Sequence, residues 1–83
     1  MKISILIPTK NRLPILRETL HNIYFVNKLP KEDFEVIVSN DGDDDLSILF
    51  EEFPFDNLKI VKNTHKAGLS GNRNNAIEFS QYE

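Results

Sequence analysis

The sequence contains no cysteine, little glycine, no long apolar run and no excess of positive charge. Without cysteine it can form neither disulfides nor thiolate zinc sites. No apolar stretch approaches the roughly 20 residues of a membrane-spanning helix. The apolar start, Ile3 to Ile7, is too short for a secretory leader. The net charge of −3 argues against a nucleic-acid binder driven by bulk charge. We therefore expect a cytoplasmic protein with no nucleic-acid partner.

Three short apolar runs indicate β-strands. They are Ile3 to Ile7, Phe34 to Val38 and Leu58 to Val61, and β-branched residues are frequent in them. Runs that are apolar at nearly every position are typical of strands covered on both faces, as in a parallel sheet.

Helical periodicity separates and follows these runs. Apolar residues recur at steps of three and four, which predicts amphipathic helices. The first stripe is Leu13, Leu16, Leu20, Ile23 and Tyr24, the second is Leu46, Leu49, Phe50 and Phe53, and the third has Ala76 and Ile77 inward. Ser70 is the predicted N-cap of the third helix. We also expect the phenylalanines at 34, 50, 53, 55 and 79 to be core or half-core.

The order of elements is β-α-β-α-β-α, which predicts a parallel sheet with right-handed crossovers. We therefore expect a Rossmann-like three-layer α/β/α fold built from three βα units. The 83 residues show no internal boundary, so we treat 1–83 as a single unit, either one small domain or part of a larger one.

Polar residues follow every predicted strand. In open α/β sheets ligands bind at the carboxyl ends of the strands, so this edge is the predicted site. Positive charge concentrates there although the chain is acidic, in Lys10, Arg12, Lys66 and Arg73. Cations beside a helix start suit a phosphate group. The first βα turn has no glycine, which excludes a dinucleotide fingerprint and a P-loop.

An acidic stretch, VSNDGDDDLS, follows the second strand. Asp41, Asp43, Asp45 and Glu52 have the spacing of calcium-loop positions 1, 3, 5 and 12, but Leu46 stands where the glycine should be. Calcium binding is therefore the weaker alternative. We expect residues 43–45 to occupy the cap and first turn of the second helix, where the dipole favours acids. Asp41 precedes them at the strand's end and is the predicted ligand-facing acid.

Three motifs together resemble the N-terminal part of GT-A glycosyltransferases of family 2. They are ISILIPTKNR, FEVIVSNDG and AGLSGNRNNAI, in that order on the expected elements. The resemblance covers residues 2 to 80 and implies the N-terminal half of a GT-A fold.

The resemblance also implies site residues. Pro8 and Thr9 would line the nucleotide pocket, and Asn11 would shape the first turn. Asp41 would accept hydrogen bonds from the base or ribose. Arg73 would reach towards the base or the diphosphate.

The sequence departs from the family pattern at two of these positions. Asn40 replaces the first acid of a frequent Asp-Asp pair, which removes a charge but keeps an acceptor. Lys10 stands where many relatives have an aromatic residue that stacks on the base, so the resemblance leaves the base open.

The donor implied by the resemblance is a nucleotide-diphosphate sugar, most simply a UDP-sugar. The intact enzyme would use a divalent ion, Mn or Mg, held by a D-x-D motif beyond residue 83, where the catalytic base is also expected. We therefore expect the 83 residues alone to bind no metal and to be inactive, and the intact protein to work in the cytoplasm or at the cytoplasmic face of the membrane. The open edge of the first strand predicts self-association. The alternative is a non-catalytic nucleotide-binding or protein-interaction domain.

Overall fold

The computed structural model describes residues 2–26, 30–43, 45–65 and 67–81. Strands and helices alternate along the chain as the sequence predicts. The elements are β1 (Ile3–Thr9), α1 (Leu13–His21), β2 (Phe34–Asn40), α2 (Ile48–Glu52), β3 (Leu58–Lys62) and α3 (Leu69–Phe79). A π-helical turn, Asn22–Val26, continues α1, and a 3₁₀ turn, Lys31–Asp33, leads into β2.

The three strands form one parallel sheet in the order β1-β2-β3. Ile3 of β1 lies opposite Phe34 of β2, and Val36 of β2 lies opposite Leu58 of β3. All three strands therefore end at the same edge of the sheet. The predicted α/β class and parallel sheet are confirmed.

One face of the sheet carries the apolar core under α1 and α2. Alternate residues of β2, beginning at Phe34, point into this core because successive strand residues face opposite sides. The buried cluster consists of Leu16, Leu20, Ile23, Tyr24, Phe34, Val36, Val38, Leu46, Leu49, Phe53 and Leu58. The predicted stripes of α1 and α2 thus supply most of the helical contribution to the core.

The other face of the sheet lies under α3 and is more polar. Ile37 and Ala76 are fully buried there. Beside them lie buried Ser39, Asn72 and Asn75, and the Ser39 hydroxyl is hydrogen-bonded to both asparagines. The layer on this side is therefore held partly by hydrogen bonds.

The structure corrects the predicted start of α3 and one of its inward positions. The N-cap is Gly68, not Ser70, so the helix starts at Leu69. With this start the buried stripe falls on residues 72, 75 and 76. Ile77 lies about 100° further round the helix and is 49% exposed, so the prediction that it points inward is wrong.

Two of the five phenylalanines expected in the core are also exposed. Phe34 and Phe53 are buried and Phe55 packs against the core, but Phe50 and Phe79 are exposed. Phe50 directly follows the fully buried Leu49 on a helix of only five residues, so it points away from the sheet. None of the helices in the described ranges combines the length and the apolar character needed to cross a membrane.

Candidate functional site at the carboxyl edge of the sheet

A cavity of about 350 Å³ opens where β1 and β2 end. It lies at the edge that the strand order predicted for a ligand. Three segments contribute to it: the β1–α1 turn, the residue after β2, and the start of α3. Its lining residues are Pro8, Thr9, Lys10, Arg12, Asp41, Gly68 and Asn72.

The end of β1 forms one wall of this cavity. Pro8 and Thr9 are the last two residues of the strand, and Thr9 is buried. The carbonyl oxygen of Thr9 accepts a hydrogen bond from the Asp41 backbone N–H at 2.9 Å, which ties the end of β1 to the residue after β2. Pro8 and Thr9, both predicted site residues, thus line the cavity. The backbone hydrogen bond joins Thr9 to Asp41, a third predicted site residue.

Asn11 shapes the turn instead of lining the cavity. Its φ of 53° is in the left-handed region, where asparagine is tolerated better than most residues. Its side-chain oxygen accepts the N–H of Asp43 at 3.3 Å. The Asn11 side chain therefore joins the β1–α1 turn to the loop after β2.

Gly42 lets these two loops approach each other closely. A Cβ atom at position 42 would lie 2.5 Å from Oδ1 of Asn11 and 2.9 Å from its backbone nitrogen. The Gly42 N–H is bonded by Oδ1 of Asn40 at 2.9 Å, and its carbonyl accepts a hydrogen bond from the Lys62 ammonium. Asn40 thus uses its acceptor to form the turn that presents Asp41.

The Asp41 carboxylate holds the loop between β3 and α3. Its Oδ1 accepts a hydrogen bond from the Asn63 side chain at 2.8 Å, and its Oδ2 accepts the Gly68 N–H at 2.9 Å. The Gly68 N–H and the Asn63 amide lower the pKa of Asp41, with smaller contributions from the charges of Lys10 and Lys62. Asp41 is therefore ionised at neutral pH. Each oxygen retains a further lone pair for a donor in the cavity.

Gly68 connects that loop to α3 in a conformation open mainly to glycine. Its φ is 111°, and it is the N-cap of the helix. No atom lies within 4 Å of a Cβ built at this position, so the constraint comes from the backbone alone. In the sequence, Gly68 and Gly71 give only a weak G-x-x-G signal, which a tight turn explains equally well.

A buried network of polar side chains supports the cavity from below. Asn72 donates through Nδ2 to the carbonyls of Thr9 at 3.2 Å and Ser39 at 2.8 Å, and its Oδ1 accepts the Ser39 hydroxyl at 2.5 Å. Asn75 donates to Oγ of Ser39 at 2.8 Å and to the carbonyl of Lys62 at 3.0 Å. The sequence places Asn72 at the start of the last helix, near the predicted edge, but it indicates no role for either asparagine. The available signal was their i, i+3 spacing on a helix with few apolar residues to bury.

The predicted cations fall into three groups. Lys10 and Arg12 line the cavity, and neither forms an ion pair with any residue that the structure describes. Arg73 is exposed on α3 and is not among the lining residues. Because α3 starts at Leu69, Arg73 lies beyond the first turn, where the helix dipole no longer disfavours it strongly. Lys66 lies outside the described residues.

The acidic stretch divides into separate contacts. Asp45 accepts the Ser47 N–H at 2.9 Å, and this bond lowers the pKa of Asp45. Ser47 is the N-cap of α2 and the helix starts at Ile48, so the prediction that Asp43 and Asp45 occupy the cap and first turn is wrong. Asp45 instead bonds the cap residue from two positions earlier. The backbone N–H of Asp43 donates a hydrogen bond to the Asn11 side chain. Asp44 lies outside the described residues. Asp41 and Asp45 thus engage different partners, which disfavours a shared calcium ion.

The donor set at this edge does not fit a divalent metal. Within the described ranges, no three histidine, aspartate or glutamate side chains come together as ligands. Asp41, the carboxylate in the cavity, already accepts two N–H donors. A metal site would need carboxylates that the described cavity does not contain.

Comparison with known proteins gives a consistent picture. Residues 4–83 match the family model for glycosyl transferase family 2. A mannosyltransferase from Pyrobaculum calidifontis, solved in complex with GDP-Man and Mn²⁺, superimposes with a TM-score of 0.81 and 26% identity over 96% of this chain. Residues 1–349 of TarS from S. aureus superimpose with a TM-score of 0.80 and 29% identity over the whole chain.

A curated relative is the poly(ribitol-phosphate) beta-glucosyltransferase of Bacillus spizizenii, with 34% identity over 88 aligned positions. The chain spans 14% of the length of that protein, 24% of the mannosyltransferase and 25% of the TarS chain. Both solved neighbours are GT-A glycosyltransferases, so the fold expected from the three motifs is confirmed. The match of the family model over nearly all residues shows that this chain belongs to glycosyl transferase family 2.

Proposed function

We propose that this chain binds the nucleotide part of a nucleotide-diphosphate sugar, and that the protein to which it belongs transfers the sugar to an acceptor. The observation that carries the proposal is the cavity at the carboxyl edge, where Lys10 and Arg12 face the same space as Asp41. Family membership supports the transfer reaction. The named relatives support it too, one as a mannosyltransferase and one as a glucosyltransferase.

The charges in the cavity suit the two ends of a nucleoside diphosphate. Lys10 and Arg12 offer cations that no described carboxylate neutralises by direct contact. The diphosphate would take these donors, since charge-assisted hydrogen bonds are stronger than neutral ones. Asp41, with lone pairs left on both oxygens, would accept from the base or the ribose hydroxyls. Pro8 and Thr9 would pack beside the base.

Arg73 has a different place in this proposal. It is exposed on α3 and lies outside the cavity lining, so it would contact only the outer part of the donor, at the distal phosphate or the sugar. We propose UDP as the nucleotide on the strength of the sequence resemblance. GDP is the natural competitor in the test, because the mannosyltransferase relative is in complex with GDP-Man.

We further propose that the intact protein uses Mn²⁺ or Mg²⁺ and works in the cytoplasm. The Mn²⁺ in the mannosyltransferase structure supports the metal. The described residues that line the cavity include no group of side chains that could hold this ion. None of the roles proposed here for this chain's residues therefore depends on the ion. We also propose that the chain self-associates through β1, which pairs with β2 on one side only among the described strands.

Calorimetric titration with UDP, GDP and uridine tests the nucleotide proposal. UDP should bind more tightly than uridine, because uridine leaves Lys10 and Arg12 without a phosphate. Replacing either cation by alanine should weaken UDP binding roughly tenfold, as expected for one charge-assisted hydrogen bond. Lys31→Ala is the control, since Lys31 lies over the Phe55 ring, away from the cavity lining. Equal affinity for UDP and uridine, or no binding of UDP and GDP at millimolar concentration, would refute the proposal.

A further inference from the structure

Asn72 lies where the start of α3 meets the ends of two strands. Only 3% of the residue is exposed, and it comes four residues after the N-cap Gly68. It nevertheless borders the cavity, together with Thr9 and Gly68. Asn72 is therefore the buried side chain of α3 that a ligand in this cavity would approach.

The carboxamide of Asn72 is hydrogen-bonded through both of its N–H donors and through its oxygen. Both Nδ2 hydrogens are donated to strand carbonyls, one at the end of β1 and one in β2, and Oδ1 accepts the Ser39 hydroxyl. These contacts join α3 to positions 63 and 33 residues earlier in the chain. An amide with two donors and one acceptor in this orientation fits the three partners, and no smaller side chain can make all three bonds.

The Thr9 carbonyl links Asn72 to the acid in the cavity. This oxygen accepts both the Asn72 amide and the Asp41 backbone N–H. The Asp41 carboxylate in turn accepts the N–H of Gly68, four residues before Asn72 in the same helix start. These hydrogen bonds therefore link α3 to the end of β1, the end of β1 to Asp41, and Asp41 back to the start of α3, and Thr9, Asp41, Gly68 and Asn72 all line the cavity.

Asn75 provides an internal comparison. It is fully buried one turn along α3 and bonds to Ser39, Lys62 and Thr64. It is not among the residues that line the cavity. The two asparagines are thus alike in burial and hydrogen bonding but differ in their position relative to the ligand space.

We propose that Asn72 is a positioning residue of the nucleotide site, which sets the Thr9 carbonyl and the Asp41–Gly68 contact in the geometry that receives the ligand. Asn75 stabilises the same layer without this role. The inference rests on the proposed function for its effect on affinity, but its geometric part concerns the ligand-free protein alone.

The test compares Asn72→Ala with Asn75→Ala in three measurements: amide hydrogen exchange without ligand, chemical unfolding, and the Kd for UDP. Asn72→Ala should speed exchange at the amides of Asp41 and Gly68 by about fivefold relative to Asn75→Ala, the effect of losing roughly one hydrogen bond. It should weaken UDP binding about tenfold, while Asn75→Ala, at similar loss of stability, should change the Kd by less than about threefold. Asn72→Ser, which keeps one donor, should recover part of the affinity.

The outcomes separate the two proposals. If the wild-type chain binds neither UDP nor GDP, the proposed function fails, and the exchange data alone decide whether Asn72 sets the cavity geometry. If both alanine variants change exchange and Kd in proportion to their loss of stability, Asn72 is merely structural and the inference is overturned. If Asn72→Ala does not fold, the comparison is made with Asn72→Ser, whose exchange at Asp41 and Gly68 must still exceed that of Asn75→Ser.

Discussion

At the scale of single residues, which residues reach the site depends more on where the backbone places them than on the charge of their side chains. Asp41 could be placed from the sequence because it directly follows an apolar strand, and strand ends meet at one edge. No role could be assigned to Asn72 and Asn75, because their partners are carbonyls and a hydroxyl that lie elsewhere in the chain. Nothing local distinguishes them from exposed Asn74. The sequence shows where Gly42 and Gly68 stand in the loops, but the close approach at Gly42 and the positive φ of Gly68 become visible only in the folded chain.

Gly68→Ala should destabilise the protein by about 1–3 kcal/mol, the cost of holding a residue with a Cβ in a conformation open almost only to glycine. Chemical unfolding measures this change. Because no atom lies within 4 Å of the new Cβ, the loss would be a backbone effect rather than a clash. Asn74→Ala, exposed on the same helix, is the control and should change stability by no more than about 0.5 kcal/mol.

Gly42→Ala should act through a clash instead. The added methyl group would meet Asn11 at both its side-chain oxygen and its backbone nitrogen, so the β1–α1 turn must shift. We expect a loss of about 1–3 kcal/mol on chemical unfolding, as for overpacked sites. Replacing Asn11 by glycine in the same chain should restore part of the loss, because it removes the side chain and relieves the left-handed φ. Stability equal to wild type in Gly42→Ala would contradict the close approach.

At the scale of elements, periodicity predicted which helices exist but not where they begin. Helix α3 starts at Leu69 because Gly68 turns the chain, and this start rotates Ile77 out of the buried stripe. Its far end is secured by a contact that periodicity cannot show. Glu35, only 4% exposed, accepts hydrogen bonds from the Ser4 hydroxyl and the Gln81 N–H, both at 2.6 Å, and from the Lys59 ammonium at 3.0 Å.

The Glu35 contacts predict a stability that depends on pH. Burial raises the pKa of Glu35, but the hydrogen bonds from Ser4, Gln81 and Lys59 outweigh it, so the net pKa is lowered from its ordinary 4.5. The carboxylate therefore contributes stability that is present in full above pH 4.5 and is lost as the pH falls through the lower folded value.

Glu35→Gln should lose about 1–3 kcal/mol at neutral pH, since the charge-assisted bonds become neutral ones. Its unfolding free energy should then depend less on pH below 4.5 than that of the wild type. Denaturant unfolding at several pH values measures both effects. Glu51→Gln, exposed on α2, is the control. Identical acid dependence in wild type and Glu35→Gln would rule out Glu35 as the group responsible.

At the scale of the whole molecule, the alternation of strands and helices was enough to predict the parallel sheet and its layers. The strand order leaves β1 at the edge of the three described strands. The Thr9 carbonyl points to β2, so by alternation the backbone groups of Ser4, Leu6 and Pro8 point to the open side. Pro8 has no N–H to offer there, as is usual for proline on an edge strand. No charged residue occurs from Ile3 to Thr9 to discourage pairing.

Sedimentation across a wide range of concentration tests the proposed self-association. We expect dimers or larger species at high concentration, formed through the Ser4–Leu6 portion of β1. Ile3→Lys, which puts a charge on this edge, should shift the equilibrium towards monomer. Ile15→Lys on α1 is the control, since Ile15 is also an exposed isoleucine but lies on a helix, away from the strand edge. A monomer at all concentrations, or an equal effect of the two variants, would contradict pairing through β1.

The central claim, that the cavity at the carboxyl edge receives a nucleoside diphosphate, is tested most directly by following backbone amide shifts while UDP is added. Saturable shifts should cluster at Thr9, Asp41 and Gly68, and Asp41→Ala should abolish them. Shifts confined to the opposite edge, around Phe55 and Asn57, or no shifts at all, would contradict the claim.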